Sequence, residues 1–176
     1  MLTQLCQAIA VLQPILPKAR WCRRDALHVT IKFLGDTPLT RVADISAAVG
    51  GIAAQTPPFS FELKGIGGFP TAARPRVVWA GVGAGSAKVI ELADELLVAL
   101  ELAGFGAEDR AFVPHVTLAR VNFLPPELSE QWDRAVAQQQ RALGTSAVER
   151  VVLYSSDLTP RGPLYHAVDS WPLGGA

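Results

Sequence analysis

Two of the three histidines in this 176-residue chain head the same four-residue pattern, His28-Val29-Thr30-Ile31 and His115-Val116-Thr117-Leu118. Imidazole ordinarily titrates near pH 6.5, so two of them at one place offer a neutral base and a charged acid together. Each pattern adds a threonine hydroxyl two residues on. Arg120 follows the second with a planar guanidinium, the side chain best matched to the oxygens of a tetrahedral anion. Metal binding is the competing use of two imidazoles. A zinc site normally needs a third protein ligand, and neither pattern has a recurring Cys, Asp or Glu beside it. His166, the remaining histidine, reads as a structural strand residue next to Tyr165. A third reading is a duplicated structural unit with no chemistry, although duplication itself would create a two-fold site.

The repeat needs strands to present it. Leu27–Leu34 is short, β-branched and aromatic-rich and ends at Gly35-Asp36; Val113–Val121 has the same character. In a strand, alternate side chains share a face, so His28, Thr30 and Lys32 point one way and Val29, Ile31 and Phe33 the other. His115 and Thr117 likewise oppose Val116 and Leu118. Burying the aliphatic face locks the register, because a one-residue slip would reverse every side chain. Lys32, on the His28 face, reads as a surface lysine whose stem snorkels, with holding phosphate as its other use. Trp79 reads as core, with base stacking as its other use, and the same choice stays open for Arg110 and Phe112.

The remaining elements follow from periodicity. Apolar residues at three- and four-residue steps predict a helix over Leu2–Leu12, closed by Pro14, and further helices over Thr40–Ala54, Lys88–Leu102 and Glu127–Leu143. Strands are expected at Phe59–Leu63, then, after a Gly-rich turn (Gly65, Gly67, Gly68), at Arg76–Val82, Ala147–Tyr154 and Leu164–Val168. Gly81, Gly83 and Gly85 lack the spacing of a phosphate-binding loop. Strand pairs with no helix between them disfavour a doubly wound parallel sheet, so the expected class is α+β, with two mixed or antiparallel sheets and helices packed outside.

Composition bounds the partners. The 16 basic residues balance the 16 acidic ones, so no broad cationic field exists to grip long nucleic acid, and any polynucleotide is held locally. Hydrophobic residues at 49% supply a core and exclude disorder. Two cysteines, Cys6 and Cys22, in no metal or disulfide spacing fit a reducing cytoplasm. Gln4, Gln7, Gln13 and Pro14 interrupt the apolar N-terminus, and no window is long enough for a transmembrane helix.

With these motifs in view, the sequence resembles the two-histidine (2H) phosphoesterases, and within them the RNA 2′,3′-cyclic phosphodiesterases historically called 2′-5′ RNA ligases. Leu27-His28-Val29-Thr30-Ile31-Lys32-Phe33-Leu34-Gly35-Asp36 is similar to the first family motif and Pro114-His115-Val116-Thr117-Leu118-Ala119-Arg120 to the second. Arg76–Gly81 and Trp171-Pro172-Leu173 resemble the family's intervening and terminal strands. The likeness runs from about Leu2 to Leu173, and differs in that the chain starts inside the family's first helix, at Met1-Leu2-Thr3, without the strand that usually precedes it.

The resemblance implies one bilobal domain over residues 1–176, one motif per lobe, with a central cleft. It implies hydrolysis of RNA 2′,3′-cyclic phosphate ends to 2′-phosphomonoesters, with His28 as proton donor, His115 as proton acceptor, Thr30 and Thr117 beside them and Arg120 on the substrate phosphate. No metal or other cofactor is expected. The expected partner is an RNA or oligonucleotide end, with a monomeric cytoplasmic protein and neither membrane nor obligate protein partner. The same motifs also suit other 2H substrates, including 2′-5′ linked oligonucleotides and other cyclic phosphates, or a non-catalytic module that binds RNA ends.

Overall fold

A computed structural model of the chain describes residues 2–159 and 162–174. Helix α1 (Leu2–Leu12) leads to a two-residue strand β1 (Arg20–Trp21), after which α2 (Val42–Gln55), β2 (Phe59–Thr71), β3 (Arg74–Val82) and α3 (Ser86–Leu102) follow. Strand β4 (His115–Arg120), α4 (Ser129–Gln138), β5 (Ala142–Val148), β6 (Arg150–Thr159) and β7 (Gly162–Pro172) complete the order. Five strands form one sheet in the order β1-β4-β3-β2-β5, and β6 pairs with β7 in a second. Every pairing between these strands is antiparallel, including that of β3 with β4, which α3 separates along the chain.

One apolar cluster runs through the molecule. From α1 it takes Leu5, Leu12 and Ile15 just beyond it, from the large sheet Leu63, Val78, Ala80 and Leu118, and from α3 Leu92 and Leu96. Trp132 of α4 is wholly buried, and its indole N–H donates to the Ala72 carbonyl at 2.8 Å. The second sheet joins through α2. A Cβ on Gly50 would stand 3.4 Å from the Trp171 indole, so glycine lets the helix approach closely, and Ser46 donates a 2.8 Å hydrogen bond to Asp169.

Four expectations need correction. The glycines at 65, 67 and 68 do not turn the chain but lie inside β2, where a bulge between Lys64 and Ile66 absorbs Gly65. The helix expected to reach Leu143 stops at Gln138, and Ala142–Val148 pairs with β2 as β5, so sheet pairing overrides the local helical pattern. The expected strand Ala147–Tyr154 is two strands, β5 and β6, parted at Glu149.

The fourth concerns the first histidine motif. Leu27–Leu34 makes only an isolated bridge, Val29 to Val116, in place of a continuous strand. Beyond His115 the partner runs out, because Pro114 has no N–H to offer and residues 103–114 are not a strand. The glycines after β3 have a packing role. Gly85 caps α3 at φ +83°, and a Cβ there would lie 2.4 Å from the Ser60 carbonyl oxygen.

Candidate active site

The two motifs meet along one edge of β4. Arg20 and Trp21 pair with Arg120 and Ala119 at one end of that edge, Arg24–Ala26 loops out as a 3₁₀ turn, and Val29 rejoins it opposite Val116. In an antiparallel register the neighbours of that bridge fall opposite one another, which sets His28 against Thr117 and Thr30 against His115. The two valines turn toward the core, and Val116 is buried. The imidazoles and hydroxyls therefore occupy the other face, each histidine facing the threonine of the other motif.

Both imidazoles are held in the same tautomer. His28 Nδ1 lies 2.8 Å from the Ala26 carbonyl oxygen and His115 Nδ1 lies 2.7 Å from that of Val113. A carbonyl only accepts, so each Nδ1 carries a hydrogen and each Nε2 is left for chemistry. The hydrogen bond reaches back two residues in both motifs, so it is part of the repeat.

Each ring also has an aromatic wall. Tyr165 of β7 meets His28 edge to face at 5.0 Å between centroids, with Tyr154 of β6 at 6.3 Å. Phe69 of β2 meets His115 edge to face at 5.1 Å, with Trp79 of β3 at 6.3 Å. Trp79 thus stands half-buried on the His115 face and not in the core. Its ring lies across Gly67, where a Cβ would fall 2.3 Å from the indole carbons.

Arg120 reaches this face through a bulge. Strict alternation from Thr117 would place Ala119 on the site and turn Arg120 away. Instead Trp79 pairs with Thr117 and Val78 with Ala119, so β4 carries one extra residue, and Arg120 pairs with Val77, which shares the face of Trp79. Leu118 and Ala119 are both wholly buried, while Arg120 is exposed. Its charge is felt by two neighbours. Burial pushes the Cys22 thiol and the Tyr165 phenol above their ordinary values, and the guanidinium of Arg120 opposes the rise in both. The sequence offers Cys22 only as one of two cysteines in no metal or disulfide spacing; its nearness to an arginine in space is what marks it here.

Lys32 corrects its sequence reading. Its side chain is only 5% exposed, and its ammonium lies 2.8 Å from the Glu108 carboxylate, in the loop that precedes His115. It ties the first motif to the second and is no snorkelling surface residue. His166 is exposed on β7 and contacts Asp157 at 3.2 Å, while Arg110 is exposed and Phe112 half-buried against the core. Among the described residues no three or more His, Cys, Asp or Glu side chains gather as a metal-ligand group, and no helix is long and apolar enough to cross a membrane.

Known proteins resemble the chain over nearly its whole length. The family model described as the 2′-5′ RNA ligase superfamily matches residues 3–160. A Thermotoga maritima protein named RNA 2′,3′-cyclic phosphodiesterase is 32% identical over 162 residues, 90% of this chain and 83% of its own. An Aeropyrum pernix protein of the same name is 36% identical over 147 residues, 80% of this chain and 78% of its own. Among solved structures, TT0787 of Thermus thermophilus superposes with a TM-score of 0.78 at 28% identity, covering 99% of this chain and 92% of that one. E. coli LigT complexed with 3′-AMP superposes with a TM-score of 0.73 at 25% identity, covering 98% and 92%.

Proposed function

The chain belongs to the 2′-5′ RNA ligase superfamily, and from that premise we propose that it is an RNA 2′,3′-cyclic phosphodiesterase whose reaction runs on His28 and His115. The observation that supports this best is the crossed pairing of two identically oriented imidazoles with two threonines on one face. A cyclic phosphate is a strained diester with one oxygen to lose. His115 Nε2 takes a proton from water as its oxygen attacks phosphorus. The bond from phosphorus to the 3′ oxygen breaks, and His28 Nε2 gives that oxygen its proton, leaving a 2′-phosphomonoester. Each transfer is typically worth 10²–10⁴ in rate.

Thr30, Thr117 and Arg120 hold the equatorial oxygens, where a guanidinium and hydroxyls meet developing charge. The reaction draws on side chains alone, with His28 and His115 moving the protons and Thr30, Thr117 and Arg120 meeting the charge. The two sheets form the lobes of one domain, with the cleft between their aromatic walls. The enzyme works as a monomer in the cytoplasm on RNA ends, in keeping with its two free cysteines.

The test is incubation of the pure protein with an oligonucleotide ending in a 2′,3′-cyclic phosphate, with and without EDTA. A 2′-phosphate product in both is expected. A 3′-phosphate product, no turnover, or activity that chelation abolishes and zinc restores would overturn the reading.

A further inference from the structure

Arg20 stands directly opposite Arg120 in the pairing of β1 with β4, and both side chains are exposed. Directly opposed residues of an antiparallel pair share a face, with Cβ atoms about 5 Å apart, and like charges there are destabilising. Among the described residues neither arginine makes an ion pair, whereas neighbouring Arg23 is neutralised by Asp25 at 2.6 Å. The bulge that turns Arg120 onto the histidine face therefore turns Arg20 there too, because the two are registered to one another. An arginine pair without a counter-ion on a substrate face is an arrangement completed by an anionic ligand with two charged groups.

Position says which anion. β1 is the outer strand of its sheet, so Arg20 lies one strand beyond Arg120, on the same edge of β4 that the His28 segment follows. Measured along the sheet at the usual rise of 3.3 Å per residue, the arginine pair lies about 13 Å from His115, whose partner Gly81 is four residues from Val77. It lies only about 7 Å from the level of Thr117 and His28, where the partner Trp79 is two residues from Val77, and this shorter span is the reach of one ribose and its phosphodiester. We propose that Arg20 binds the phosphodiester on the 5′ side of the terminal nucleotide, so that the site reads an RNA end of at least two nucleotides and not a cyclic mononucleotide. The proposal rests on the cyclic phosphodiesterase reading above, with Arg120 on the scissile phosphoryl group.

The experiment compares kcat/KM for three substrates: a 2′,3′-cyclic mononucleotide, a dinucleotide ending in the same group, and that dinucleotide with a neutral methylphosphonate linkage. The wild-type enzyme should favour the charged dinucleotide by about ten-fold over the other two, the gain typical of one charge-assisted hydrogen bond. Arg20→Gln should lose that preference, and the slope of log kcat/KM against log salt for the dinucleotide should become shallower by about one. A mononucleotide carrying a 5′-phosphate should behave like the dinucleotide. Arg20→Gln should melt no lower than wild type, since it removes a like-charge contact. Equal losses on all three substrates, or no loss on any, would overturn the proposal while leaving the phosphodiesterase reading intact. Absence of turnover on every cyclic substrate would instead sink that reading, and the proposal with it.

Discussion

The Lys32 ammonium, all but removed from solvent, lies 2.8 Å from the Glu108 carboxylate, and this contact joins a segment without a strand ladder to the loop that delivers His115. Glu108→Gln leaves the ammonium buried beside a neutral amide, a loss of about 1–3 kcal/mol for an uncompensated buried group. The melting temperature should fall by several degrees, at about 2–4 °C per kcal/mol for a chain of this size. Lys32→Met, which removes the charge but keeps the stem, should be milder. Thermal melts of both variants check this; a Lys32→Met variant less stable than Glu108→Gln would show that packing of the stem, and not the unpaired charge, governs the site.

Replacing either His28 or His115 by Ala should lower turnover of a cyclic phosphate by at least about 10², since each loses a proton-transfer role. The double variant should lose less than the product of the single losses, because both groups act on one transition state. The pH dependence of kcat/KM should be bell-shaped, reporting the pair and not either residue. Single variants close to wild-type rate would dispose of the acid–base assignment.

Gly67→Ala should damage the site from behind. Its methyl group would fall 2.3 Å from indole carbons of Trp79, whose ring is 6.3 Å from that of His115, so the indole must move. Overpacking of this kind costs about 1–3 kcal/mol. Adding Trp79→Ala to Gly67→Ala should recover part of the stability, and a double variant no more stable than Gly67→Ala would rule out the ring as the obstacle.

The Cys22 thiol, raised by burial and only partly restored by Arg120, is protonated at neutral pH. Because the thiolate is the nucleophile, Cys22 should alkylate more slowly than free cysteine at pH 7.5, with a rate that still climbs where an ordinary thiol has levelled off. Arg120→Ala should raise the thiol further and slow labelling again. Peptide mass spectrometry after timed iodoacetamide treatment measures both, and faster labelling than free cysteine would contradict the buried setting.

The facing of the two motifs was legible in one dimension because its rule is local. A pattern His-apolar-Thr-apolar, twice, determines by alternation that each imidazole shares a face with a hydroxyl while its valine goes to the core, and the packing of Val29 and Val116 follows that rule. The helices over residues 2–12 and 88–102 were legible for the same reason, since their apolar stripes repeat within a few residues. What alternation cannot reach is any place where one strand gains a residue on another. The extra residue at Leu118 reverses the facing of everything after it, and so Arg120 comes to the site in place of Ala119, carrying Arg20 with it. The stretch 27–34 has strand-like residues, yet Pro114 ends its partner. Lys32 has the composition of a surface residue, yet the loop holding Glu108 closes over it. A bulge, a missing N–H on a neighbouring strand and a carboxylate 76 residues away are properties of pairs distant in the chain, and only the folded structure decides them.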